Sequence, residues 1–374
     1  MSRRNLIILI SAVILIIITI ILILTVFLRR PGPLPTPAPS GGGFIIPEEP
    51  TLPTVSKEKV RALSENPAGA LHIVNDRPRF WDKETGFIFE TSPDGAEPKR
   101  ISRDQLADVV NILPLSDNEK IVLAEKENNQ IKYSIYNLVS GTKNLLPNGI
   151  KSIAVSPDGK KIALYLTDGQ KNKLVITDAD AINAKTVAEL NLDKINLSWT
   201  NANMILMAEP ASGLASSSIL SFNAEKKQPD LIVDNLFGLE AITSSDFSKM
   251  IYSKTNQAGG GLSLNLLDLS TREAKSLAIG TFASKCVFSK SNREIFCAVP
   301  SELKSSILPD DYYKGILRTN DSLFKINLET AEFSEIINGF ERPSFDIVKP
   351  LLNSSEDFLF FINNLDDKPY SIKL

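Results

Sequence analysis

Few residues of this 374-residue sequence have side chains that could carry out catalysis or bind a metal ion. The chain contains one histidine and two cysteines. This count excludes a zinc site built from cysteine and histidine, and it leaves His72 as the only base for a histidine-dependent triad. His72 lies in the alternating run 70–74, which is typical of a β-strand, so we interpret it as a structural residue.

Motifs with a defined chemistry are also missing from the sequence. There is no Gly-x-Ser-x-Gly nucleophile elbow and no Gly-x-x-x-x-Gly-Lys-Ser/Thr phosphate loop. Acidic doublets such as Asp310-Asp311 lack the spacing of an EF-hand calcium loop. The sequence therefore predicts no catalytic residue, no cofactor and no metal site, and we do not expect an enzyme.

The two cysteines flank a predicted β-hairpin over 287–296. If its turn centres on Ser291-Asn292, Cys286 faces Cys297, and directly opposed antiparallel residues have Cα atoms about 4.5–5.5 Å apart. We therefore predict a Cys286–Cys297 disulfide, which requires an oxidising compartment. The alternative is a pair of small buried thiols.

The first 30 residues predict a membrane anchor. The segment 5–28 is almost entirely Ile, Leu, Val, Ala and Phe, with an arginine pair at each end. As a helix of about 36 Å it can cross a hydrocarbon core of roughly 30 Å. It lacks the small-residue cleavage site of a signal peptide. We expect a single span, with a short cytoplasmic N-terminus and the rest of the chain outside the cytoplasm.

Residues 31–69 have the composition of a stalk. Alternating prolines from Pro31 to Pro39 favour extended polyproline II, and Gly41–Gly43 then add flexibility. A short helix is predicted over 56–63. Without the four arginines of the first 30 residues, 37 basic residues face 44 acidic ones. This balance is unsuited to a polyanion, so we expect no nucleic-acid partner.

From residue 70 onward the sequence contains an internal repeat. Residues 153–165 form a β run, a Ser-Pro-Asp-Gly turn and a second β run, which predicts a hairpin. Weaker copies follow the same pattern, with a hydroxyl or amide side chain before the turn. These residues stand at positions 116, 156, 200, 244, 289 and 353, so the steps are 40, 44, 44, 45 and 64.

A second unit, an alternating strand that runs into a turn, lies between these hairpins, for example at 133–141 and 323–331. Each repeat then holds four short strands in about 44 residues, which is typical of a propeller blade. We predict an all-β fold: a β-propeller of seven four-stranded antiparallel blades over 70–374, with a loop insertion at 300–320. A β-sandwich would not produce the 44-residue period.

The stretch 156–163, Ser-Pro-Asp-Gly-Lys-Lys-Ile-Ala, resembles the repeat signature of the WD40-like propellers of the TolB-type family. The order of anchor, stalk and propeller is similar to that of uncharacterised bacterial envelope proteins of this type. The resemblance implies a membrane-tethered, extracytoplasmic module that binds proteins or peptides in the cell envelope. The alternative is a propeller hydrolase, similar to some glycosidases, that uses carboxylates at its central channel.

Three B–C loops are long in successive blades, at 210–218, 255–261 and 300–320. Insertions grouped on one face of a repeat protein often mark its binding side. The last loop combines apolar, acidic and tyrosine residues, which are common at interfaces. We expect this loop to contact a protein or peptide partner, and its alternative role is to pack its own apolar residues on the propeller. The candidate residues are Leu308, Asp310, Asp311, Tyr312 and Tyr313.

Overall fold

The computed structural model describes residues 59–340 and 343–374 of the chain. The membrane span predicted over 5–28 lies outside these residues, as does the predicted stalk up to residue 58. No helix in the described part is long and apolar enough to cross a membrane. The regular structure of this part is almost entirely β, with 27 strands, one turn of 3-10 helix and one short α-helix.

The strands of the first half are, in chain order, β1 Val60–Ala62, β2 Ala68–Val74, β3 Arg77–Asp82, β4 Ile88–Glu90, β5 Lys99–Arg100, β6 Val109–Pro114, β7 Lys120–Glu127, β8 Gln130–Asn137, β9 Lys143–Leu145, β10 Ile150–Val155, β11 Lys161–Asp168, β12 Lys171–Asp178 and β13 Lys185–Leu190.

The strands of the second half are β14 Asn196–Trp199, β15 Met204–Ala208, β16 Ser216–Asn223, β17 Gln228–Thr243, β18 Lys249–Thr255, β19 Ser263–Asp268, β20 Ala274–Ser276, β21 Cys286–Phe288, β22 Glu294–Pro300, β23 Asp321–Asn327, β24 Phe333–Ile337, β25 Ile347–Leu352, β26 Phe358–Asn363 and β27 Lys368–Lys373. The 3-10 turn Ala283–Lys285 precedes β21, and the helix α1, Asp310–Tyr313, lies between β22 and β23.

Hydrogen bonds join the strands of the described residues into six antiparallel sheets, five with four strands and one with seven. In the seven-stranded sheet, the long strand β17 pairs with β16 through its first part and with β18 through its last part. Counting β17 twice gives seven four-stranded sheets. We number them I (β2–β5), II (β6–β9), III (β10–β13), IV (β14–β17), V (β17–β20), VI (β21–β24) and VII (β25–β27 with β1). Within a sheet the strands are named A to D, and β1 is strand D of sheet VII.

The apolar core is divided among clusters that lie between neighbouring sheets. Trp81 of sheet I packs with Ile121 of sheet II, and corresponding clusters join every later pair within the described residues. A further cluster brings Phe360 of sheet VII against Phe80 of sheet I, so the series closes on itself. This ring of packed sheets has the architecture of a β-propeller, and the predicted all-β fold of four-stranded antiparallel sheets is confirmed.

The A–B turns lie at the positions that the repeat predicts. The Ser156 hydroxyl accepts a hydrogen bond from the Lys161 backbone N–H at 2.9 Å. The Ser244 hydroxyl accepts the equivalent bond from Lys249, also at 2.9 Å. A polar side chain before the turn therefore closes the hairpin locally, which explains why hydroxyl and amide residues recur there.

The ring closes through the segment for which the sequence predicts a short helix over 56–63. Residues 60–62 instead form β1, which pairs antiparallel with β27 and places Val60 opposite Ile372. The Val60 side chain packs against the cluster between sheets VI and VII. The pairing partner lies about 310 residues further along the chain, so no local pattern could indicate this strand.

A disulfide joins Cys286 of β21 to Cys297 of β22. The two residues face each other in the register of the hairpin, with Val287 opposite Phe296. Both cysteines are buried in the cluster between sheets V and VI. The bond therefore links strands A and B of sheet VI shortly before the longest B–C loop begins.

Candidate functional site

The three long B–C loops, 209–215, 256–262 and 301–320, contact one another, and we call them the loop cluster. The Gly213 backbone N–H and the Ser212 hydroxyl both donate to the Asp310 carboxylate, at 2.7 and 3.1 Å. The Leu308 backbone N–H donates to the Gly259 carbonyl at 2.9 Å. Sheets IV, V and VI therefore present one joined surface on the B–C face of the ring.

Close backbone approach holds the loop cluster together. A Cβ atom added to Gly213 would lie 2.3 Å from the Leu308 carbonyl oxygen. Such a distance is shorter than any real contact, so only glycine allows the first and third loops to pack this closely.

The longest loop is anchored by its apolar side chains. Leu308 and Tyr312 are each 4% exposed and pack with Phe282 and Leu317. The Tyr312 ring stacks on Phe282 with ring centroids 4.9 Å apart. These two predicted partner residues therefore point into the protein and position the loop.

A buried charge network lies beneath helix α1. The Lys285 ammonium donates to Asp321 at 2.7 Å, to Asp346 at 2.6 Å and to the Thr319 hydroxyl at 2.9 Å. The Tyr312 hydroxyl donates to Asp346 at 2.6 Å. Because Lys285 precedes β21, Asp321 begins β23 and Asp346 precedes β25, the network ties the loop to sheets VI and VII.

The electrostatics of this network follow from its burial. The side chains of Lys285, Asp321 and Asp346 are 1%, 0% and 0% exposed. Burial raises the pKa of Asp321 despite the ammonium beside it. Burial is also the largest single influence on Asp346, but there the Lys285 charge and the hydrogen bonds from Lys285, Tyr312 and Thr319 together outweigh it and lower the pKa. The carboxylates of Asp321 and Asp346 therefore converge from different sheets. Lys285 forms an ion pair with both, and neither is open to a substrate.

Tyr313 is the exposed member of the tyrosine pair, with 57% of its surface accessible. Its hydroxyl donates to the Glu240 carboxylate at 2.5 Å and lies 3.4 Å from the Ser284 hydroxyl. Burial raises the pKa of Glu240, which lies on the inner part of β17. The loop thus covers a desolvated carboxylate that no sequence motif indicated.

The other predicted residues have internal roles. Asp310 accepts the two bonds from the 209–215 loop, and Asp311 accepts a bond from the Ile307 backbone N–H at 2.8 Å. Of the five predicted partner residues, only Tyr313 has an exposed side chain. The large exposed apolar and aromatic residues of the loop cluster are Leu214 at 61%, Tyr313 at 57% and Ile316 at 72%, and we call them the loop patch.

Metal-binding chemistry has little support in the described part of the chain. Within residues 59–340 and 343–374, no group of three or more His, Cys, Asp or Glu residues is arranged to hold a metal ion. The loop patch, with its apolar and aromatic surface, is suited to contact with another macromolecule.

No family model matches the chain, and no curated protein matches it. Among solved structures, the chain is similar to oligogalacturonate lyase from Vibrio parahaemolyticus, with 8% identity and a TM-score of 0.59 over 86% of this chain and 95% of that chain. It is also similar to the tricorn protease, with 11% identity and a TM-score of 0.53 over 85% of this chain. It spans only 34% of the tricorn protease chain, about a third of its length.

TolB from Acinetobacter baumannii is a third similar structure, with 14% identity over 75% of this chain and 62% of that chain. Its TM-score of 0.44 is too low to carry an argument. At these identities the likeness concerns the fold alone. Since oligogalacturonate lyase is itself a propeller protein, the chain is a β-propeller protein, as its ring of packed sheets indicates.

Proposed function

We propose that this chain is a membrane-tethered, seven-bladed propeller of the TolB type that binds a protein or peptide partner in the cell envelope. In this proposal the segment 5–28 spans the membrane, the N-terminus is cytoplasmic and the propeller lies outside the cytoplasm. The disulfide between Cys286 and Cys297 supports an oxidising location.

The observation that carries the proposal is the loop cluster. Loops from three successive sheets are hydrogen-bonded together, and a buried charge network holds the longest of them in place. The loop patch therefore exposes apolar and aromatic side chains on a positioned surface. An ordered surface loses little conformational entropy on binding, which favours affinity.

The carboxylate hydrolase gains no comparable support. Its requirement is a pair of carboxylates that a substrate can reach. Asp321 and Asp346 converge, but both are buried and paired with Lys285.

Site-specific photo-crosslinking in intact cells tests the binding proposal. A benzophenone amino acid placed at Ile316 is expected to give discrete crosslinked products with the full-length chain. The matched control position is Val139, which is 65% exposed and lies on the opposite face, in the C–D turn of sheet II. Crosslinking at Val139 that equals or exceeds that at Ile316 would contradict a partner on the loop cluster.

Truncation of the loop patch is the second arm of this test. With the benzophenone amino acid placed at Leu214 instead, the double variant Tyr313→Ala/Ile316→Ala is expected to lower the crosslink yield about tenfold, as removal of central interface side chains does. Tyr312 is left intact because it is buried. An unchanged yield from a variant with a wild-type melting temperature would show that the patch is not the contact surface.

A further inference from the structure

A cavity of about 850 Å³ lies between sheets III and IV on the A–B face, opposite the loop cluster. Its lining comes from the A–B and C–D turns of both sheets, from the adjoining residues of β11, β12 and β13, and from the end of β14. The volume is in the range of ordinary ligand sites. The proposed function makes no use of this cavity.

The rim of the cavity is basic in a chain whose net charge is −3. Four lysines line it, namely Lys160, Lys161, Lys185 and Lys227. None of the four forms an ion pair with a described residue, whereas Lys171 and Lys173 of the same sheet III do. The charged groups of the rim are therefore free to meet a ligand.

The two acidic residues that line the cavity are already engaged. Asp178 accepts hydrogen bonds from the Ile182 backbone N–H at 2.9 Å and from the Asn183 amide at 2.6 Å. These bonds, the first of them most strongly, lower the pKa of Asp178. Glu225 accepts a bond from the Asn203 amide at 3.3 Å. Four lysines against two carboxylates leave the cavity positive.

Trp199, whose buried indole N–H has no partner among the described residues, lines the same cavity. The residue is 7% exposed. The Nε1 of Trp81, by contrast, donates to the Leu106 carbonyl at 3.1 Å. Trp199 packs with Tyr165 and Leu174 of sheet III, so its side chain lies on the face of sheet IV that borders the cavity. The Nε1 atom has almost no accessible surface, so Trp199 meets the cavity through the carbon atoms of its ring and can report on what enters it.

We propose that this cavity binds an acidic peptide segment whose carboxylates meet the lysine rim. Lys160 and Lys161 lie together where the A–B turn of sheet III meets β11, Lys185 begins β13, and Lys227 lies in the C–D turn of sheet IV, so the charges come from three places rather than one point. A spread of positive charge suits a chain with several carboxylates. Apolar Ile176 and Val187 also line the cavity and would pack against the body of such a peptide.

Tryptophan fluorescence gives a direct test because the chain contains only two tryptophans. The variant Trp81→Phe leaves Trp199 as the sole emitter. Titration with tri-glutamate at low ionic strength is expected to change its emission saturably, while tri-lysine leaves it unchanged. A signal that inorganic phosphate reproduces at the same concentration would overturn the assignment to a peptide carboxylate.

Charge reversal on the rim provides the matched comparison. In the Trp81→Phe background, Lys185→Glu/Lys227→Glu is expected to weaken tri-glutamate binding at least tenfold. The control Lys99→Glu/Lys126→Glu makes the same charge change at exposed lysines away from the cavity and should bind as the parent does. Equal weakening in both double variants would show that only the net charge matters, and would overturn the site.

Discussion

At the scale of single residues, His72 is a titratable group that the fold buries within sheet I. It lies on β2, is 8% exposed, and its Nδ1 is 2.9 Å from the Ala70 carbonyl oxygen. Its Nε2 has no partner among the described residues. Burial lowers the pKa of His72 from 6.5 to about 4. The neutral ring is therefore the form that the fold accepts.

This shift predicts an acid-dependent loss of stability. Between pH 6.5 and about 4 the unfolded chain binds a proton at His72 that the folded chain does not. The contribution of His72 to the free energy of unfolding should therefore be greatest near pH 7 and fall by on the order of 2–3 kcal/mol toward pH 4.5. Urea unfolding of wild type and His72→Gln at both pH values isolates this contribution from that of the carboxylates. An identical decrease in both proteins would contradict it.

At the scale of elements, the β21–β22 hairpin joins local geometry to a covalent bond. The cysteines are 11 residues apart in sequence. A loop of this length predicts that the double variant Cys286→Ala/Cys297→Ala loses about 2–3 kcal/mol of stability. Urea unfolding measures the loss, and reduced wild type should show a similar one. Full stability in the double variant would mean that the disulfide contributes nothing.

The elements also show what a sequence can and cannot predict. Turns such as the one at Ser156 and the pairing of Cys286 with Cys297 depend on neighbours within about a dozen residues, so their patterns were readable. The partner of Lys285 in the charge network, Asp346, is 61 residues away. Glu240 is covered by Tyr313, 73 residues later. No spacing encodes contacts that arise only when three sheets meet, and this is also why the sequence did not separate buried Tyr312 from exposed Tyr313.

At the scale of the whole molecule, stability depends on closing the ring through β1. The Leu63 N–H donates to the Pro369 carbonyl at 2.8 Å, and the Lys373 N–H donates to Lys59 at 2.9 Å. Hydrogen-bonded positions alternate along an antiparallel strand, and Arg61 lies two residues from each of these bonds. Its N–H therefore points toward Ser371, the residue opposite it in the register.

Proline at position 61 should therefore weaken closure. Arg61→Pro removes a ladder donor and is expected to cost about 1–3 kcal/mol, seen as a lower melting temperature. Arg61→Val is the control, because it removes the same side chain and keeps the N–H. Equal melting temperatures for the two variants would show that the hydrogen bonds between β1 and β27 do not stabilise the ring.

The pairing of β1 with β27 also imposes a delay on folding during synthesis, because β1 must wait for β27 to be made. The ribosome makes β27 about 300 residues after β1, which at ~5–20 residues per second is on the order of 15–60 s. Throughout that interval Phe80 lacks its neighbour Phe360, and the inner cluster between sheets I and VII stays open. The nascent chain must therefore carry an unpaired apolar face for tens of seconds, and β1, the first strand of the described residues, is among the last to pair.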